Sequence, residues 1–113
     1  MADDPIREYN LGQEVLLSAD FTDETQDPAV PGDPDVVQLL IQEGDGSQYT
    51  VVMGSLSNPS VGRWEYRLAI PLDGDKAVKP WRYRFEGASA PGGITAVQRR
   101  RFHVIPSPFY PPS

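Results

Sequence analysis

Residues Gly62 to Ile70 read Gly-Arg-Trp-Glu-Tyr-Arg-Leu-Ala-Ile and stop at Pro71. Trp64, Tyr66, Leu68 and Ile70 share one parity, while Arg63, Glu65 and Arg67 share the other. Such alternation, in residues that suit a pleated and half-covered surface, predicts a β-strand. A helix would spread the same four apolar groups round its circumference. A strand with so heavy an inner face needs a facing layer of large residues, and the rest of the chain must provide it.

Trp81-Arg-Tyr-Arg-Phe-Glu86 repeats the alternation, with its aromatic face predicted inward. Glu14 to Phe21 is a third strand, with Val15, Leu17, Ala19 and Phe21 inward and Ser18 and Asp20 outward. Asp35 to Glu43 is almost wholly apolar between Val36 and Ile41, which predicts cover on both faces. Gly44-Asp-Gly-Ser47 is a hairpin turn leading to a partner strand, Gln48 to Met53, because Asp-Gly accepts the positive φ that tight hairpins require. Residues 54–61 read as a connection, Leu72 to Lys76 as a second turn, and Gly87 to Gly93 as a loop of small residues. Ala96 to Ile105 is the last strand, with Phe102 and Val104 inward and Arg101 and His103 outward.

Twelve prolines and ten glycines leave no helical window. Six strands, and a seventh if the N-terminal arm pairs, predict an all-β protein, an antiparallel immunoglobulin-like β-sandwich of about seven strands. A small barrel is the alternative. The sandwich is expected over residues 14–105, after an arm at 1–13 and before a proline-rich tail at 106–113. A chain of 113 residues can bury a core without staples, and the absence of cysteine excludes disulfides and thiolate chemistry.

No run approaches the roughly 18 apolar residues of a membrane span. The acidic start, Met-Ala-Asp-Asp-Pro-Ile, lacks the basic and apolar regions of a signal peptide, so a complete cytosolic product beginning at its own start codon is expected. The net charge of −6 is unevenly placed. Residues 1–50 hold twelve acidic groups and one basic group, whereas residues 51–113 hold four acidic and nine basic groups. Such asymmetry pairs early strands with late ones inside one molecule, or complements a neighbouring copy.

His103 is the single histidine, and no Gly-x-Ser-x-Gly elbow or phosphate-cradling glycine motif accompanies it. The reading is therefore of a protein that is not an enzyme and carries no cofactor. Asp33, Asp35, Asp73 and Asp75 offer hard oxygen ligands for calcium, but aspartate beside glycine or proline is what turns use. Arg99, Arg100 and Arg101 alternate between the faces of a strand, which predicts no single basic patch. With a pI near 4.6, neither nucleic acid nor a membrane is expected as a partner. A sugar platform would need exposed aromatics. Trp64, Tyr66, Trp81, Tyr83 and Phe85 are wanted in the core, which leaves Tyr49, Phe109 and Tyr110.

Two proline-rich stretches have no evident place in that core. One is the long loop Thr22 to Pro34, with Pro28, Pro31 and Pro34 three residues apart; the other is the tail Pro106 to Ser113, with four prolines around Phe109 and Tyr110. Proline lowers the entropy lost when a segment docks, so such arms suit binding along a partner surface. The predicted partner-binding residues are Pro28, Pro31, Pro34, Pro108, Phe109 and Tyr110.

Several pieces carry a resemblance: Tyr9 to Phe21, Asp27-Pro28, Val37 to Ile41, Val61 to Tyr66, Pro80 to Gly87, Arg101-Phe-His-Val104 and Ser107-Pro-Phe109. Together they resemble small immunoglobulin-like structural proteins of tailed bacteriophages. The longer loop at 28–34 and the proline-rich ending depart from that pattern. The resemblance implies a virion component made in the host cytoplasm: capsid decoration, head–tail joining or tail-associated. It implies other virion proteins as partners (major capsid, connector or tail subunits) and a homo-oligomeric or multi-copy state in the assembly. The alternative function is a carbohydrate-binding β-sandwich module displayed on a virion tail or larger assembly.

Overall fold

A computed structural model describes residues 7–23, 26–88 and 95–112. In chain order the strands are β1 (Arg7–Asn10), β2 (Glu14–Asp20), β3 (Thr22–Asp23), β4 (Val30–Pro31), β5 (Val36–Gln42), β6 (Gln48–Val51), β7 (Ser57–Ser60), β8 (Arg63–Ala69), β9 (Trp81–Ala88) and β10 (Thr95–Ile105). Two 3-10 turns, Met53–Ser55 and Gly74–Ala77, separate β6 from β7 and β8 from β9. Among the described residues there is no α-helix.

The strands form a five-stranded sheet in the order β1-β10-β9-β5-β6, a three-stranded sheet in the order β2-β8-β7, and a two-stranded ribbon of β3 and β4. All pairings are antiparallel except β1 with β10, which is parallel. The two larger sheets share one core. Val15, Leu17 and Ala19 of β2 and Trp64 and Leu68 of β8 are buried with Val37, Leu39, Ile41, Trp81, Phe85, Phe102 and Val104 of the five-stranded sheet. The Trp81 and Phe102 rings stack at 5.5 Å, and Tyr9 meets Phe102 edge-on at 5.3 Å. The alternation of β8 therefore has the predicted sense: Trp64, Leu68 and, just past its end, Ile70 are buried, and Tyr66 is half-buried at the rim.

Several expectations change. In β5 only Val37, Leu39 and Ile41 are buried, while Val36 is 59% exposed and Leu40 half-covered. No third layer lies on the outer face of this sheet among the described residues, so the apolar run is covered on one side. Residues 57–60 are a strand, not a connection; β7 lies at the edge of its sheet, where Pro59 has no ladder bond to break. The strand after the hairpin ends at Val51, and Met53 begins a 3-10 turn. Part of the predicted arm belongs to the sandwich, because Arg7–Asn10 runs parallel to β10 from Phe102 to Ile105. Gly87 and Ala88 continue β9, and the rest of the predicted loop, at 89–93, lies outside the described residues. The 44–47 hairpin is as expected, with Gly46 at φ 94° and the Glu43 N–H donating to the Ser47 carbonyl at 2.8 Å.

The long loop is stitched to the sandwich at one glycine. Gly62 has φ 82°, a conformation that a side chain would strain, and a Cβ there would sit 2.5 Å from the Phe21 carbonyl oxygen. Its carbonyl accepts from the Phe21 N–H at 2.7 Å, and its own N–H donates to Asp33 Oδ1 at 2.7 Å. The same carboxylate oxygen accepts from Asn58 Nδ2 at 3.2 Å. Pro34, just beyond, is buried against Gly87.

Candidate functional site

The residues predicted to bind a partner fall into two groups at opposite ends of the sandwich. The loop docks beside Gly62, where β8 begins, and beside Gly87, near the end of β9. The tail sits on Gly74, past the end of β8 and before the start of β9. Seven strand residues, roughly 23 Å, lie between the two groups. Pro28 and Pro31 are exposed on the loop, whereas Pro34 is buried in the wall of the domain and leaves the set open to a partner.

The tail has a defined course. Ser107 and Tyr110 form an isolated antiparallel bridge, with the Tyr110 N–H donating to the Ser107 carbonyl at 3.2 Å and the Phe109 N–H to Ser107 Oγ at 3.2 Å. The backbone of Tyr110 and Pro111 then lies directly on Gly74: a Cβ there would fall 2.6 Å from the Pro111 oxygen and closer still to that of Tyr110. The tail is thus seated on its own domain, and the turn holds Phe109 at 84% exposure. Pro108 beside it is exposed, and Tyr110 is 41% exposed.

The turn under the tail is braced by a charged cluster. Lys76 Nζ donates to Glu43 Oε1 at 2.7 Å and to Asp45 Oδ2 at 2.6 Å, with the lysine side chain only 14% exposed. The Asp45 hydrogen bond, then that of Glu43, pushes the lysine pKa up; the same bond, helped by the Ser47 N–H, holds the Asp45 carboxyl well below the usual carboxylate range. The Lys76 carbonyl accepts from the buried Trp81 Nε1 at 2.7 Å, and the Lys79 N–H donates to the Gly44 carbonyl at 2.9 Å. Across the other sheet, Arg63 pairs with Asp20 at 3.0 Å and Arg67 with Glu14 at 2.9 Å. These contacts join the acidic first half of the chain to the basic second half, so part of the asymmetry is neutralised inside the molecule.

The remaining basic charge is gathered on one surface. In the register of β10 with β9, Arg99 stands opposite Arg84 and Arg101 opposite Arg82. Both pairs face outward, and the neighbouring strands continue the two rows with Leu40 and Thr50 and with Gln42 and Gln48. The rows line a broad depression of about 780 Å³. Arg84 is partly neutralised by Glu86 at 2.8 Å, and Glu86 also accepts from Gln38 at 2.6 Å. The Arg84 Nε is buried without a partner among the described residues. Arg82, Arg99 and Arg101 are exposed, and among the described residues they form no ion pair.

Arg99, Arg100 and Arg101 do alternate between faces as expected, but a patch forms across two strands. Along β10 alone the alternation argument is right: Arg100 falls on the other face, opposite Tyr83, and donates to the Arg99 carbonyl at 2.8 Å. What it left out is the adjacent strand, whose Arg82-x-Arg84 has the same parity. That spacing was legible, but the register was not.

The other candidates have ordinary positions. His103 is exposed opposite Glu8 of β1. Asp33 anchors the loop, and Asp73 caps the Gly74–Ala77 turn by accepting from the Asp75 N–H. Among the described residues no three potential ligands are grouped to hold a metal. Trp64, Trp81 and Phe85 are buried, and burial pushes the half-covered Tyr49 phenol up to about 12. No family model matches this chain, and neither curated proteins nor solved structures yield a match.

Proposed function

We propose that the chain is an immunoglobulin-like β-sandwich acting as a non-enzymatic bacteriophage virion protein, a capsid decoration or head–tail joining component. Its work is adhesion: a rigid sandwich spaces two docking ends, the tail at one and the Pro28–Pro31 stretch at the other. The observation that carries the reading is Phe109, a large apolar side chain almost wholly in water on a tail that is itself fastened to Gly74. A floating terminus would expose a phenylalanine at random. A fixed one presents it, and an aromatic anchor of this kind fits a pocket on a neighbouring subunit. The strand order, with a first strand parallel to the last, supports the immunoglobulin-like assignment. The virion setting rests on the resemblance of the strand motifs.

The carbohydrate-binding alternative lacks comparable support, since both tryptophans are buried. The test is Phe109→Ser, which touches no packing inside the domain. The variant should melt with the parent yet fail to enter particles when co-produced with the other structural proteins of its virion. Normal incorporation would sink the reading.

A further inference from the structure

We infer that the outer face of β10-β9-β5-β6 receives an extended, carboxylate-rich segment of a partner protein, held by Arg82, Arg84, Arg99 and Arg101. The argument begins with an imbalance. Like charges directly opposite each other on paired strands are destabilising, and this sheet carries two such pairs side by side. Only Arg84 has an acidic neighbour that neutralises it, and that neighbour serves one of four guanidiniums. Elsewhere Arg63, Arg67 and Lys76 each hold a carboxylate. A protein of net charge −6 that leaves three exposed arginines without an ion pair among the described residues on one face presents a complement to negative charge.

The spacing selects the form of that charge. Paired strands lie about 4.8 Å apart, and alternate residues of a strand repeat every roughly 6.7 Å. The arginines therefore mark the corners of a small rectangle with two rungs. An extended peptide laid along the strands, with acidic residues at alternate positions, repeats at the same interval. Each carboxylate then meets one rung, in the planar forked geometry that guanidinium offers and ammonium does not. The amides of Gln42 and Gln48 beside the rungs supply donors and acceptors for the main chain of such a segment, and Leu40 gives it an apolar floor.

Nucleic acid fits less well. Single strands need aromatic side chains on which bases stack; the two outward rows carry none, and Tyr49 and Tyr83, which also line the depression, stand opposite the buried Ile41 on the other parity.

This inference rests on the adhesive reading of the domain but uses different residues, so Phe109→Ser and the arginine variants can fail separately. The experiment uses fluorescently labelled ten-residue peptides and the full chain in anisotropy titrations at low salt. A peptide alternating Glu and Thr should bind. A peptide with the same five glutamates in one block should bind at least fivefold more weakly, and raising the salt should weaken both. Arg82→Gln with Arg101→Gln should lower affinity at least tenfold, whereas Arg63→Gln with Arg67→Gln on the opposite sheet should leave it unchanged. Three results would each overturn the inference: equal binding by the Arg82/Arg101 variant, equal binding of the two peptides, or tighter binding of a ten-nucleotide thymidine strand.

Discussion

Gly44→Ala should be among the most damaging small substitutions in this protein, although nothing in the local sequence marks it. Gly44 is buried at the start of the β5–β6 hairpin turn, against the segment from Lys76 to Lys79. A Cβ built there meets only backbone: 2.6 Å from the Lys76 carbonyl carbon, 2.9 Å from the Lys79 oxygen, and nearer still to the Lys76 oxygen. No side chain can rotate aside, so the two segments must part. Parting them breaks the Lys79 N–H bond to Gly44 and strains the bond from Trp81 Nε1 to Lys76, at 2.9 and 2.7 Å. The first is worth about 1 kcal/mol, and a buried indole N–H left unsatisfied costs about 1–3 kcal/mol. A loss of about 2–4 kcal/mol is a large part of the 5–15 kcal/mol typical of a domain. At the usual unfolding entropy per residue, a chain of 113 residues loses about 4 °C per kcal/mol, so Tm should fall by roughly 8–16 °C. Near-ultraviolet circular dichroism during thermal unfolding would follow the tryptophans directly. Gly54→Ala is the control, since nothing lies within 4 Å of its Cβ position. If Gly44→Ala melts within about 2 °C of Gly54→Ala, the close approach of the two turns is wrong.

Three further outcomes follow from the same contacts. Trp81→Phe should cost about 1–3 kcal/mol more than Trp64→Phe in urea denaturation, because Trp81 Nε1 donates at 2.7 Å whereas Trp64 Nε1 is buried with no partner among the described residues; equal costs would refute this. Asp45→Asn keeps the turn but loses the Lys76 partner. Since the folded carboxyl lies below its unfolded value, the stability advantage of the parent should be constant above about pH 5 and decline as pH falls past about 4. It should vanish once the folded group protonates, and an advantage that grows on acidification would contradict the pairing. Gly74→Ala should free the tail while sparing the core: limited chymotryptic proteolysis should cut after Phe109 at least tenfold faster, with Tm changed by only a few degrees. Unchanged cleavage would show that the tail is not seated there.

Much of the fold was legible because a strand writes its orientation into its own sequence. The parity of Trp64, Leu68 and Ile70, of Val15, Leu17 and Ala19, and of Phe102 and Val104 fixes which side each strand buries, since neighbouring side chains on a strand point to opposite faces. The turn at Asp45-Gly46 was equally local. β7 was missed because Ser57 to Ser60 has no apolar face; it is a strand only because β8 offers an edge. The parallel pairing of β1 was missed because four mostly exposed residues carry no signal of their own partner.

The candidate sites divide along the same line. Proline spacing and the Phe109-Tyr110 pair marked the two ends from sequence alone, because rigidity and apolar content belong to the residues themselves. Sequence could not show that Pro34 is wall and Phe109 is outside, since burial depends on what stands opposite: Gly87 for the one, solvent for the other. The arginine face shows the limit most sharply. Taken strand by strand, Arg82-x-Arg84 and Arg99-x-Arg101 are two outward stripes fifteen residues apart. Only the register of β9 with β10 makes them one patch, because a sheet is held together by pairings between segments that no single segment encodes.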